Sequence, residues 1–242
     1  MNYLNRLLFF SFIFLLACNA PKVEPVVAVV KQDTIIAKPK NLKPVLILDA
    51  GHGGPDPGAV NDSLNLYEKN VTRKLVDAIL KKIDTNKISV IQTRKKDENI
   101  DRHQRIRNAN LYNPDLLLSI HNNFDDDTTI NGFEINISDS TIMHTTEKDT
   151  LRKQNPNKDS CIKYASIIEK NIRTSFPKMK PRNIYVRKDN IWMICSPMYP
   201  SVLVEFGFIS NNKDLQYLTN KKEIEKFANS IVKSIYKIFR VE

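Results

Sequence analysis

Three apolar runs in this chain break off abruptly into polar residues able to bind or react, and that recurrence limits the fold more than any other feature. Val45-Leu46-Ile47-Leu48 leads through Asp49-Ala50 into Gly51-His52-Gly53-Gly54. Leu116-Leu117-Leu118-Ser119-Ile120 leads into His121-Asn122-Asn123, and Val202-Leu203-Val204 into Glu205-Phe206-Gly207. Short continuous apolar runs suit strands buried on both faces of a mostly parallel sheet better than half-exposed ones. The carboxyl ends of parallel strands share one edge, where open α/β sheets bind ligands. Glycines after Ala50 permit a tight turn and leave room beside the His52 imidazole.

The intervening segments alternate in period. From Glu68, Val71, Leu75, Ile79 and Ile83 recur at helical spacing, and residues 88–93 return to strand. A helix is expected over 101–110, with Asn113-Pro114-Asp115 stopping the chain before the His121 strand. Residues 132–137 read as a further strand, and the polar, charged stretch 138–160 as a surface loop or flap. Cys161, Tyr164, Ala165, Ile168 and Ile172 restore a helical face, and 191–194 read as a short strand. The last helix carries a capping-box pattern at Asn220 and Glu223, followed by Ile224, Phe227, Ala228, Ile231, Ile235 and Ile238. The expected fold class is α/β: a single domain with a mixed, mostly parallel central sheet flanked by helices.

At the amino terminus, Arg6 precedes an apolar core from Leu7 to Leu16 that is too short to span a bilayer comfortably. Residues 1–17 therefore read as an export signal. It ends in Leu15-Leu16-Ala17-Cys18, which looks like a bacterial lipobox and implies a lipid on Cys18 that tethers the chain to a membrane outside the cytoplasm. Residues 18–43, with Pro21, Pro25 and Pro39, read as an extended linker, and 44–242 as the folded domain. The formal charge of +10 comes from Lys and Arg spread along the whole chain without aromatic interleaving, which argues against nucleic acid as a partner. A solvated lysine-rich surface is the plainer explanation, and attraction to a polyanionic partner such as cell-wall polymer or membrane headgroups is the functional one. Beyond Cys18 only Cys161 and Cys195 remain, compatible with a bridge or with two buried thiols.

Two histidines and a carboxylate at the mouth of a sheet, with a second carboxylate facing them, are what zinc hydrolysis needs. Zinc takes nitrogen and oxygen ligands tetrahedrally and keeps one position open in a catalytic site. An unligated glutamate beside it moves the protons. This assigns His52, Glu68 and His121 as ligands and Glu205 as acid/base. Each has a duller explanation: a strand-end cap for His52, a satisfied buried histidine for His121, a helix-dipole partner for Glu68. Their joint placement weakens these readings, since the chain has only four histidines and two directly follow apolar runs. A carboxylate straight after Val202-Leu203-Val204 also needs a partner if buried. His144-Thr145-Thr146-Glu147 imitates a metal pair but follows neither a buried strand nor a glycine turn, and is read as coincidence.

These residues also carry a family resemblance. Asp49-Ala50-Gly51-His52-Gly53-Gly54, Glu68, Thr93-Arg94 with Asp97, Arg105 with Ala109-Asn110, Ser119-Ile120-His121-Asn122-Asn123 and Val204-Glu205-Phe206-Gly207-Phe208-Ile209-Ser210-Asn211 resemble, in order, the zinc-dependent N-acetylmuramoyl-L-alanine amidases of type 3. The resemblance implies hydrolysis of the amide between N-acetylmuramic acid and L-alanine of peptidoglycan, in wall remodelling or daughter-cell separation. It also implies Zn²⁺ on His52, Glu68 and His121, and Glu205 as the catalytic glutamate. Gly132-Phe133-Glu134 resembles the family's Gly-x-Glu strand, making Glu134 a second catalytic candidate. Arg94, Asp97 and Arg105 read as a structural salt-bridge set, and Asn123 as a residue that orients a ligand or donates to substrate. Regulated relatives carry a blocking helix between the second histidine and that strand, and residues 122–131 are too few for one. The competing expectations are a non-catalytic peptidoglycan-binding envelope lipoprotein and a zinc carboxypeptidase or endopeptidase on the stem peptide.

Overall fold

The structure is a computed structural model and describes residues 43–144, 150–188, 191–195 and 198–241. The signal, Cys18 and nearly all of the linker lie outside the described residues, as does Glu147 of the His144 motif. No helix among the described residues is long and apolar enough to cross a membrane.

In chain order the elements are β1 (Val45–Ala50), β2 (Val60–Asn61), β3 (Leu66–Tyr67), α1 (Glu68–Leu80), β4 (Ser89–Gln92), α2 (Arg102–Asn110), β5 (Leu116–Asn123) and β6 (Phe133–Ser138). They continue with β7 (Ser140–His144), β8 (Thr150–Gln154), α3 (Lys158–Ser175), β9 (Pro181–Arg187), α4 (Trp192–Cys195), β10 (Ser201–Phe208), α5 (Asn212–Thr219) and α6 (Lys221–Phe239). Six strands form the central sheet in the order β4-β1-β5-β10-β6-β9. Every neighbouring pair is parallel except β10 with β6, so the sheet is mixed and mostly parallel as expected.

Alternation along the strands divides the sheet between two cores. Leu46, Leu48, Leu118, Ile120, Val202, Val204 and Phe206 face the larger one, packed by Val71 and Leu75 of α1, Ala165 and Ile168 of α3, and Phe227 and Ile231 of α6. Phe206 lies 4.0 Å from Phe227 and 5.1 Å from Phe176, ring centre to ring centre. Burying each such side chain contributes roughly 1.5–3 kcal/mol. The opposite face is thinner. Ile47 and Leu117 meet Ile106 and Ala109 of α2 and Met193 of α4, and between them run buried polar residues, Asp49 and Ser119 among them. The continuous apolar runs are therefore buried on both sides, and most of the buried polar side chains of the strands lie on the face that carries His121 and Glu205.

Helix ends follow from local chemistry. The Asp101 carboxylate caps α2 by accepting from the His103 and Gln104 amides, and the Asn220 side chain caps α6 through Lys222 N–H. Glu223 pairs with Lys226 and closes no reciprocal capping bond.

Two expectations are corrected. The described residues of 138–160 are largely regular structure and not a loop: Ser138 ends β6, β7 and β8 pair antiparallel, and α3 begins at Lys158. None of its described residues lines either cleft beside the site. Residues 191–194 form no strand. Trp192–Cys195 is a single helical turn that packs over the sheet on α2, β10 and β6, away from the edge strands β4 and β9. Cys161 and Cys195 are both buried, and neither forms a disulfide among the described residues.

Candidate active site

The end of β1 turns sharply. His52 itself takes a left-handed backbone conformation with φ of 61°. A branched or bulky residue resists that region and histidine tolerates it. Two buried guanidinium groups hold the turn. Arg94 donates to the carbonyls of Ala50, Gly51 and Lys69, and Arg105 to those of Ala50 and His52. Arg105 also pairs with Asp49 at 2.8 Å, and Asp49 accepts from Ser119 at 2.5 Å and from Thr93. Burial alone pushes the Asp49 carboxyl up, but Arg105, His121 and the two hydroxyls hold it below its ordinary value. Asp97 is bonded to Lys69 and to the Gly54 amide. The expected salt-bridge set is thus three separate supports of one loop.

Glu68 is the first residue of α1, and its side chain turns inward, 3% exposed. One carboxylate oxygen accepts from Ala59 N–H at 2.9 Å and lies 3.1 Å from His52 Nε2. The other accepts from Asn122 N–H at 3.0 Å and lies 2.9 Å from His121 Nδ1. Two backbone amides therefore fix the carboxylate between two imidazoles. Burial raises its pKa, and the histidine contacts overcome this and leave it well below the usual carboxylate range. For His121 burial works downward, and Glu68 overrides it and lifts the ring to about 9.

The ligand atoms of His52, Glu68 and His121 all lie within 4.8 Å of one another. A tetrahedral dication with bonds near 2.1 Å spaces its ligands roughly 3.4 Å apart, so the donor set fits such an ion. This is the one group of its kind among the described residues. A residue that the sequence reading did not single out completes it. Asp56 lies 2.9 Å from His52 Nδ1, leaving Nε2 for the centre, and carboxylates commonly orient metal-binding histidines in this way. The available signal was an acid four residues past the histidine in the same glycine-rich turn.

Glu205 reaches the site through sheet register. It is the direct partner of His121 on β5 and of Glu134 on β6. Its Oε2 is buried without a hydrogen-bond partner among the described residues, and burial lifts its carboxyl to about 7. Directly after it, β10 spends three steps where β5 spends two, a bulge with Gly207 at φ of 82°. Bulges of this kind re-aim side chains next to sites. Glu134 is brought beside Glu205 but not into the clefts: its carboxylate pairs with Arg182 at 2.5 Å and accepts from Asn123 at 3.2 Å.

Two clefts meet at His52, His121 and Glu205. The first, about 500 Å³, runs past Ala59, Val60, Asn122, Asn123 and Phe124. The second, about 610 Å³, runs past Asn99, Ile100, Arg102 and Trp192. Residues between Asn123 and Phe133 form turns and no helix, so nothing at that position blocks the centre.

Comparison with known proteins bears on the family and the fold. A family model described as N-acetylmuramoyl-L-alanine amidase matches residues 46–237. A putative N-acetylmuramoyl-L-alanine amidase of Buchnera aphidicola subsp. Baizongia pistaciae is 29% identical, over 81% of this chain and 96% of that protein. The catalytic domain of CwlV, an N-acetylmuramoyl-L-alanine amidase from Bacillus (Paenibacillus) polymyxa var. colistinus, superposes with a TM-score of 0.68 at 25% identity, covering 82% of this chain and 99% of that one. The CwlD amidase of Clostridioides difficile, solved in complex with the GerS lipoprotein, gives 0.67 at 25% identity, covering 83% and 100%.

Proposed function

We infer that this chain, which belongs to the N-acetylmuramoyl-L-alanine amidase family, cleaves the amide between N-acetylmuramic acid and the L-alanine of peptidoglycan with a zinc ion held by His52, Glu68 and His121. The observation that carries the reading is the convergence of those three ligand atoms beside a buried carboxylate oxygen, on Glu205, that no described residue engages.

The ion, when bound, supplies Lewis acidity that acidifies water and polarises the scissile carbonyl. The chain's own residues do the rest. Glu205 lines both clefts, and its carboxylate, whose Oε2 has no hydrogen-bond partner among the described residues, accepts a proton from the attacking water. A carboxyl poised near about 7 then returns that proton to the alanine nitrogen as the carbon–nitrogen bond breaks, leaving a free amine and a muramic carboxylate. Asp56 and the Ala59 and Asn122 amides hold the His52 ring and the Glu68 carboxylate in place throughout. Glu134 acts by position: it holds Asn123 and adds negative charge that helps keep the Glu205 proton affinity high.

Digestion of purified peptidoglycan tests the reading. Mass analysis is expected to find intact stem peptides that begin at L-alanine, with release stopped by a chelator and restored by zinc. Shortened stems would instead mark a peptidase, and no release at all a wall-binding protein.

A peptidoglycan substrate places the enzyme in the envelope, outside the cytoplasm. We further propose that lipid on Cys18 anchors it there, on the strength of the Leu15-Leu16-Ala17-Cys18 motif. Cys18→Ser is expected to move the protein from the membrane to the soluble fraction, and a variant that still sediments with membranes overturns the anchor.

A further inference from the structure

The two clefts differ in one respect that bears on how the substrate lies. The first is lined by no lysine or arginine. The second is lined by two arginines, of which Arg105 is taken up by Asp49 and by backbone carbonyls. Arg102 is exposed and pairs with no carboxylate among the described residues. Its guanidinium lies over the Trp192 ring, 5.5 Å from the centroid, and the same indole meets the His103 ring at 4.3 Å. A cation over an indole is attracted by the ring's negative face, which sets its direction while leaving its N–H edges available. The acids nearby are already engaged. Asp101 caps α2, Asp56 holds His52 and the Gly58 amide, and Asp49 holds Arg105.

The scissile amide joins two arms of different charge. The muramoyl arm is a sugar whose carboxyl is consumed in the amide, so near the cut it is neutral. The arm that begins with L-alanine is a peptide and must carry at least a terminal carboxylate. A free guanidinium held against an indole is the fork that a carboxylate accepts.

We propose that the cleft walled by Arg102 and Trp192 binds the peptide arm and that Arg102 recognises a free carboxylate on it. The muramoyl arm then occupies the other cleft, where Phe124, 46% exposed, offers a ring face and Asn123 an amide. Arg102 is thus a specificity-determining residue for the leaving side. This inference rests on the amidase reading and goes beyond it by assigning each side of the bond to a cleft.

The test uses two soluble muramoyl tripeptides, identical except that every free carboxylate of the peptide arm is a carboxamide in the second. The parent enzyme is expected to favour the carboxylate form in kcat/KM by about tenfold or more, the scale of one charge-assisted hydrogen bond. In Arg102→Gln that ratio should fall towards one, and Arg102→Lys should restore part of it. Lys87→Gln, the same charge change at an exposed site outside both clefts, should keep the parent ratio. Binding of the released peptides to metal-stripped protein gives a second readout: the carboxylate peptide should bind about tenfold tighter than the carboxamide to the parent, and no tighter to Arg102→Gln. A parent enzyme that releases no peptide from either compound overturns the amidase reading. One that releases peptide but shows equal ratios in the parent and in Arg102→Gln overturns the assignment of Arg102.

Discussion

Glu205→Gln is expected to release stem peptide from peptidoglycan about 10²–10⁴-fold more slowly than the parent chain while keeping its metal, whereas His52→Ala should lose both. The difference follows from where the two side chains stand. Glu205 is outside the group whose ligand atoms converge within 4.8 Å, and its Oε2 makes no hydrogen bond among the described residues. Glutamine has the same shape and cannot take up the proton of water. Burial already disfavours the charged carboxylate at this position, so a neutral isostere does not threaten the fold. His52, by contrast, is one of three donors, and removing it leaves Glu68 facing a single imidazole. Metal content and rate measured on both variants decide the matter. Equal loss of zinc in the two would show that Glu205 is a ligand and that the division of roles is wrong.

Gly51→Ala is expected to be nearly as damaging without touching any reactive atom. Gly51 follows Ala50, the register partner of Ile120, and so stands opposite His121. A methyl group there would lie 2.3 Å from His121 Cε1 and 2.5 Å from Nε2. The ring has nowhere to go, because Nδ1 is held at Glu68 and the side chain is only 15% exposed. Overpacking of this kind costs about 1–3 kcal/mol, and here the strain falls on a ligand. The variant should melt at lower temperature, bind zinc poorly and lose most of its turnover. Full zinc content and a normal rate in Gly51→Ala would mean that the histidine has room and that the close approach has no consequence.

Much of this site was readable before any coordinates, for a physical reason. Strands buried on both faces must be continuously apolar, so the residues at which β1, β5 and β10 stop being apolar are the ones they deliver to the edge. His52, His121 and Glu205 stand out on that ground alone. Pairing across strands is not written in any one run. That Glu205 lies directly between His121 and Glu134 depends on register, and the engagement of Glu134 by Arg182 depends on β9. That strand starts with a proline, is largely exposed or half-exposed, and has no burial pattern to reveal it. The antiparallel pair of β7 and β8 escaped for a similar reason, since two polar strands that pair only with each other show no sustained alternation. Residues 191–194 illustrate a different limit: four apolar residues suit a buried strand and a single helical turn equally well, and packing on α2 and β10 decides between them.

Arg94 has a consequence for how the site moves. One guanidinium, 2% exposed, is bonded at once to the end of β1, to the first turn of α1 and to the carbonyl of Lys96. The segments that bear His52 and Glu68 therefore cannot fray one at a time, because releasing either strands a buried charge. The two segments are tied through one buried group, so opening either carries the cost of leaving that group without its partners. A scaffold riveted in this way meets each new substrate in the same posture, and adaptation to the shape of the polymer falls to the outer walls of the clefts.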